Sequence, residues 1–483
     1  MIWWRDRAAQ ALILLILLRF IAGAVLPLSA DEAYYWLWSQ HLAPGYYDHP
    51  PAIAFVIRAG TLLFGDTSLG VRLGGLVLSL AATWCVWRCA ALLWNDEKAA
   101  RHAALFFNAT LMIAVETMAA TPDAPSIAFA ATFLYCLVKV QETEEGRWWL
   151  AAGAAAGLGL LSKYSALFLG AGALFWLVAS PAQRRWLLSP YPYLGGLIAA
   201  ALFAPNIWWN AAHGWETFVF QFGRITQGAF TLKYLFEFLG AQALLATPFT
   251  FLLGAFGLAA RRNAPVFLAA ALCWPSIAYF FWHTLHDRVQ GNWPCFLYPA
   301  FVLLGVAAMQ QDWTGWQRTV MAFSRRAALP AALLLLAIAY AQALFNIVPL
   351  GRTDPMARLL GVGMDDVKNE ISKAKTETGA EVLVTTDYAS TGWLRFYMPG
   401  QPVIAASEPF RWPDAPAPDT QMLQGPLLYV VESRLDRKVD LTAKFSDVKL
   451  IAEFARMARG AAVAPYRAYR LSGWKGMPFG KLP

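Results

Sequence analysis

Eleven apolar runs occupy most of the first 350 residues, and they leave this chain few ways to fold. They lie at 8–28, 69–94, 102–120, 124–140, 148–162, 164–180, 187–205, 237–260, 264–283, 294–310 and 327–349. A helix rising 1.5 Å per residue crosses the hydrocarbon core in about 20 apolar residues. Only 14% of the residues are charged, well under the roughly 25% of a soluble domain. A large soluble core is thereby excluded, and a polytopic α-helical membrane protein of about eleven crossings is expected. The net charge of +8 comes from short basic clusters between the runs. That pattern fits membrane topology and argues against a nucleic-acid partner, which would need the charge on one face.

The basic clusters also set the expected orientation. Arg5 and Arg7, Lys98 and Arg101, Lys139 and Arg147, Arg184 and Arg185, Arg261 and Arg262, and Arg318, Arg325 and Arg326 fall on one side. By the positive-inside rule that side is the cytoplasm. Arg5 and Arg7, the following apolar stretch and Leu28-Ser29-Ala30 imitate a signal peptide, but Arg19 inside the stretch and the many later runs favour an uncleaved first helix. The 36 residues between Arg147 and Arg184 would make one helix of about 54 Å, too long for a single crossing. The chain is therefore expected to turn at Ser162-Lys163-Tyr164-Ser165, and likewise at Thr121-Pro122-Asp123-Ala124-Pro125, where prolines break the helix. Both turns bring an ionisable side chain to the outer side, together with a first loop at about 29–68, the stretch Asn206 to Lys233 and the stretch His283 to Trp293.

Residues 1–350 thus form a membrane domain, and 351–483 an outer α/β domain. In the latter, Asp354 to Lys373 reads as an amphipathic helix. Glu381 to Thr386, Pro402 to Ala405, Leu427 to Val431 and Val448 to Ile451 read as strands, and the Pro-rich stretch from Arg411 as a loop. The five cysteines sit in or beside apolar runs with neither a zinc spacing nor a disulfide framework, and read as buried small hydrophobes.

The residues that bear chemistry gather on the outer side. Asp31 and Glu32 follow the first run, with Tyr35 just beyond, and the same loop carries Asp48 and His49, with Arg58 soon after. Acidic residues also suit a helix N-terminus, so capping explains Asp31, Glu32 and Asp123 as residue types equally well. Lys163, beside Tyr164 at a tight turn, is costly unless it meets water or an anion. His286, Arg288, Asn292 and Trp293 make a further polar island, able to bind phosphate or sugar hydroxyls or to serve as an ordinary interfacial loop. Glu116 and Arg19 lie deeper, where charges need partners. No G-x-x-x-x-G-K-[ST], no G-x-G-x-x-G after a strand, no D-x-D and no H-E-x-x-H occurs, which disfavours nucleotide-dependent chemistry. No dedicated metal-ligand cluster appears; no cofactor beyond a lipid-linked donor is expected, and dependence on a divalent metal stays open.

These motifs resemble one family. Asp31-Glu-Ala-Tyr-Tyr-Trp-Leu-Trp-Ser-Gln-His41, Gly45-Tyr-Tyr-Asp-His-Pro-Pro51, Phe64-Gly-Asp66, Arg72, Ala120-Thr-Pro-Asp-Ala-Pro125, Leu161-Ser-Lys-Tyr164, Asn206 to Trp215 and His286 to Pro294 carry the likeness. The chain is similar to the glycosyltransferase 39 and aminoarabinose-transferase-like branch of membrane transferases with the GT-C fold, over residues 1–350. The resemblance implies inverting transfer of a sugar from a polyprenyl phosphate to a lipid or glycan acceptor, on the periplasmic face of a bacterial inner membrane. It matches Asp31 to the family's catalytic aspartate, Asp123 to its second outer aspartate and Lys163 to a basic position. Asp48-His49-Pro50 stands where the aminoarabinose enzymes have Glu-Lys-Pro, and Tyr34 where they have an arginine. Protein O-glycosylation is the alternative within the family. A lipid-linked glycan transporter is the rival from another class, and it would favour paired inverted halves, which the sequence lacks.

Overall fold

The computed structural model describes residues 6–223, 228–260 and 264–483. Arg5, Arg261 and Arg262, counted above in the basic clusters, lie outside the described residues. The main helices are α1 (Arg7–Val25), α2 (Ala30–Gln40), α3 (Ala52–Phe64), α4 (Ser68–Trp94), α5 (Glu97–Ala109), α6 (Leu111–Glu116), α7 (Asp123–Thr143), α8 (Arg147–Ser162), α9 (Leu167–Ala179), α10 (Pro190–Ala212), α11 (Glu216–Phe222), α12 (Lys233–Leu245), α13 (Pro248–Leu258), α14 (Ala264–Thr284), α15 (Tyr298–Gln310) and α16 (Gly315–Phe345). Beyond them come α17 (Pro355–Leu359), α18 (Met364–Thr378), β1 (Val382–Thr385), α19 (Tyr388–Tyr397), β2 (Val403–Ala405), β3 (Leu427–Glu432), β4 (Phe445–Ala458) and β5 (Ala461–Trp474). Among the described residues, five helices (α1, α4, α7, α14 and α16) are each long and apolar enough to cross a bilayer, and α12 with α13 make a sixth if that bent pair is one span. The protein is a polytopic helical membrane protein.

Several runs are less regular than the sequence suggested. The run at 237–260 bends by 110° between α12 and α13. Thr247 takes a positive φ of 66° there, and Pro248 opens the second helix at a position where its missing N–H is no loss. The run at 102–120 breaks at Thr110, which leaves helical geometry and accepts from the Ile113 N–H to cap α6. Asn206 to Asn210, expected in an outer loop, continues α10. Buried hydrogen bonds satisfy the polar side chains inside the helix: Asn210 Nδ2 donates to the Asn206 carbonyl at 2.9 Å, and Tyr164 Oη donates to Asn206 Oδ1 at 2.9 Å.

The chain divides into two compact units. The first holds residues up to Gly23, His49–Val56 and Arg72–Ala339. In it α8 packs against α7 and α10, and α15 against α5, α7, α13 and α14. Small residues set the α8–α10 approach: a Cβ on Gly153 would lie 2.1 Å from the Gly195 carbonyl oxygen. Dispersion between closely approached backbones is what holds helices together in lipid. Arg19 is buried and donates from Nη2 to the Asn108 carbonyl at 3.3 Å.

The second unit holds Ala24–Asp48, Ile57–Val71 and Tyr340–Pro483. Its five strands run in the order β2-β1-β3-β5-β4, with β1 parallel to both β2 and β3 and the remaining pairs antiparallel. The strand suggested at 448–451 is the middle of β4, which with β5 forms a long hairpin. Arg459 and Gly460, both at positive φ (46° and 81°), make its two-residue turn. β3 alternates Leu428 and Val430 toward α18 and α19 with Leu427, Tyr429 and Val431 toward the other face. The amphipathic helix expected over 354–373 is two helices. Gly363, at φ 79°, separates them, and buried Arg456 donates to the Ala357, Arg358, Leu360 and Val362 carbonyls that α17 leaves open. The first loop is also more ordered than expected, since α2 lies within this unit and packs on α19. Only glycine fits at 392, where a Cβ would come within 2.9 Å of the Tyr34 nitrogen.

Candidate active site

In the second unit, Asp31 stands in the first turn of α2. Ser29 caps this helix by accepting from the Glu32 N–H at 3.2 Å, and Glu32 Oε2 accepts from the Ser29 N–H at 2.8 Å. Glu32 is thereby buried as half of a capping box. Asp31, one residue earlier, points elsewhere: its Oδ1 accepts a hydrogen bond from Tyr388 Oη at 3.0 Å. Tyr388 begins α19, whose cap is Asp387, accepting from the Ser390 N–H at 2.8 Å. Asp31 thus stands in the first turn of α2, where a helix dipole favours the charged carboxylate, and takes a phenol donor from α19.

A second layer surrounds this pair. Asp48 Oδ2 accepts from Tyr34 Oη at 2.6 Å, and Arg411 Nη1 donates to both Asp48 oxygens at 2.7 Å. Arg411 Nε donates to Glu408 at 3.0 Å. Its guanidinium lies 4.6 Å from the centre of the Tyr388 ring, with Tyr47, Phe410 and Tyr34 at 5.6, 5.7 and 5.8 Å. Charge, planarity and ring faces suit an arginine in such a box. Burial pushes the Asp31 carboxyl above its ordinary pKa, the Tyr388 hydrogen bond pulls it down, Asp48 and Glu32 push it up and Arg411 pulls it down. Tyr35 is buried beside Tyr34, their ring centres 5.5 Å apart. Among the described residues, Asp31 Oδ2 accepts no hydrogen bond. Arg58 lies on α3 in this unit and makes no side-chain hydrogen bond to Asp31 or Asp48 among the described residues.

In the first unit, Asp123 opens α7 and is 3% exposed. It accepts from Lys163 Nζ at 2.6 Å, from Asn292 Nδ2 at 2.7 Å and from the Cys295 thiol at 2.9 Å. Lys163 ends α8, so the two expected turns meet as an ion pair, and the turn before α15 closes over them. Tyr164 is buried on Asn206. Trp293 lies 5.7 Å from the ring of His283, whose own nitrogens have no partner among the described residues. Arg288 is exposed and paired with Glu237 at 2.8 Å, and His286 Nδ1 meets the Trp282 carbonyl at 3.1 Å. Neither reaches Asp123. His49 is half-buried in this unit. An apolar cavity of about 470 Å³ lies next to the 292–295 turn, lined by Gln242, Phe251, Trp274, Phe281, Leu297 and Tyr298 among others.

Tyr388, Arg411 and Cys295 were not singled out from the sequence. The only sequence signal for Tyr388 is the Asp-Tyr-Ala-Ser capping pattern, and Arg411 stood in what read as a plain loop. All five cysteines are free and buried. Among the described residues, no group of three or more His, Cys, Asp or Glu side chains gathers to hold a metal ion.

With this geometry in place, likeness to known proteins becomes informative. Residues 48–209 match the family described as dolichyl-phosphate-mannose-protein mannosyltransferase. The chain is 28% identical over 389 residues to the lipid A galacturonosyltransferase RgtD of Rhizobium johnstonii, across 77% of this chain and 79% of that protein. To an undecaprenyl phosphate-alpha-4-amino-4-deoxy-L-arabinose arabinosyl transferase of Pseudomonas paraeruginosa it is 27% identical over 269 residues, 52% of this chain and 44% of the other. The crystal structure of ArnT from Cupriavidus metallidurans in the apo state aligns with a TM-score of 0.64 at 15% identity, covering 95% of this chain and 97% of that one. The same protein bound to undecaprenyl phosphate aligns equally well. At that identity the likeness speaks for the fold.

Proposed function

Because this chain belongs to the GT-C family of glycosyltransferases, we propose that it moves a sugar from a polyprenyl phosphate to an acceptor hydroxyl on a lipid A-like envelope glycolipid, with inversion. The organisation that goes with this reading is a membrane part at 1–350, with eleven crossings, and an outer domain at 351–483. The site faces the periplasm of a bacterial inner membrane, and the reaction needs no cofactor.

One observation carries the reading: Asp31 is a partly buried carboxylate with one oxygen held by Tyr388 and the other unoccupied by any described donor. A general base needs that combination of fixed direction and spare acceptor capacity. Asp31 Oδ2 takes the proton as the acceptor oxygen bonds to the anomeric carbon. The bond from that carbon to the phosphate oxygen breaks on the opposite face, and its electron pair leaves with the phosphate. A phosphate is a good leaving group and needs no acid. Within the first unit, we assign phosphate binding to Lys163, held by Asp123 and Asn292, with His49 as a further donor, and a polyprenyl tail to the apolar cavity beside the 292–295 turn. Arg288, exposed and already paired, is given no part in this step.

The test is mass spectrometry of the host's glycolipids with the gene intact, deleted and restored as Asp31→Asn. Loss of one sugar from a glycolipid on deletion, not restored by the variant, is the expected result. Unchanged glycolipids, or full restoration by Asp31→Asn, would sink the proposal. The matched family's description favours a protein acceptor as second reading, and sugar loss confined to glycoproteins would select it.

A further inference from the structure

The residues that complete the Asp31 site come from the far end of the sequence. Tyr388 Oη lies 3.0 Å from Asp31 Oδ1, and the Arg411 guanidinium lies 4.6 Å from the centre of the Tyr388 ring while holding Asp48 at 2.7 Å through Nη1. Tyr34 links the two shells: its hydroxyl donates to Asp48, and its ring lies 4.9 Å from that of Tyr388 and 5.2 Å from that of Trp412. Arg411 supplies positive charge that acts on Asp31.

We propose that Tyr388 and Arg411 are positioning residues of the transfer reaction. Tyr388 fixes Asp31 through Oδ1 so that Oδ2 alone is presented to the acceptor hydroxyl, and Arg411 holds Tyr388 and Asp48 in place around it. The inference rests on Asp31 being the base. A carboxylate that turns freely about its side-chain torsions presents either oxygen in many directions, whereas one tethered at Oδ1 presents a single lone-pair direction. Positioning of this kind is worth much in rate because the geometry is set before the reaction begins. The donated hydrogen bond also favours the charged carboxylate that a base must be, against the desolvation that opposes it. The groups facing Asp31 that share in its titration are Tyr388, Asp48, Glu32, Arg411 and Tyr35. Tyr388 itself stays protonated, since burial first and then the Asp31 charge raise its pKa. It therefore donates throughout the working range.

The experiment uses the full-length enzyme in proteoliposomes with a polyprenyl-phosphate sugar and its acceptor, comparing Tyr388→Phe, Arg411→Lys, Arg411→Ala and Asp31→Asn. For Tyr388→Phe the expected result is a kcat lower by about 10- to 100-fold with both KM values within about twofold, and an acid limb of the pH profile moved to higher pH. The direction follows from the chemistry: removing a donor to the charged form raises the carboxyl pKa, so more alkaline solution is needed to ionise it. Arg411→Ala should move the limb the same way, and Arg411→Lys should recover part of the loss. A Tyr388→Phe enzyme with the native kcat and acid limb would overturn the inference. So would a fall in kcat with an unmoved limb and a matching loss of thermal stability, which marks a purely structural contact. Asp31→Asn separates the two levels: if it is active the base assignment has failed, and if it is inactive while Tyr388→Phe is native, only the positioning role has failed.

Discussion

Asp31 and Asp123 are both acidic residues in the first turn of a helix, yet their surroundings leave them different amounts of freedom. Asp123 is almost fully buried and accepts from a lysine, an amide and a thiol. Asp31 accepts from one phenol and keeps an oxygen in reserve. The first is a joint, tying α7 to the ends of α8 and of the turn before α15. The second retains the capacity to take a proton. Position in a motif did not separate them, but their hydrogen-bond partners do.

The sharpest way to break this contrast is Asp31→Asn, which keeps the shape and removes the basicity. Loss of transfer by about 10²- to 10⁴-fold is expected, with unaltered thermal unfolding. Asp123→Ala should do the reverse and strike folding first. It leaves the Lys163 ammonium buried without its counter-charge, a change that costs about 3–5 kcal/mol in buried pairs. Adding Lys163→Met should recover detergent-solubilised yield and melting temperature, and failure to recover would deny that the pair is a joint. Lys163→Ala alone is expected to weaken retention of a fluorescent polyprenyl phosphate, read by titration in detergent. Glu32→Ala, which opens the capping box, should lower stability by about 1 kcal/mol with transfer retained. Smallest of all is Arg288→Ala, where the exposed pair with Glu237 should matter to neither activity nor melting temperature.

Much of the contrast was foreshadowed by the sequence, in uneven measure. The turns at 121–125 and 162–165 could be placed because prolines and run lengths leave no other fold for those stretches, but their meeting as an ion pair was not anticipated, since Lys163 read as a phosphate ligand and Asp123 as a cap or helper of the base. The bend at Thr247-Pro248 escaped notice because the flanking residues are apolar on both sides. Periodicity also misjudged 354–373, where a buried arginine one hundred residues later, Arg456, satisfies a helix end that no local pattern reveals. For the site itself, Asp31 and Asp48 stood out as acids in an aromatic loop. Tyr388 and Arg411 did not, because they reach Asp31 and Asp48 from sequence distances of 357 and 363 residues, and spacing carries no record of such contacts.

That separation has a consequence for biogenesis. The aspartate is made 357 residues before its tyrosine partner, so a nascent chain carries an unfinished centre until that partner has been added. A polypeptide released before residue 388 would hold Asp31 without the phenol that fixes its Oδ1.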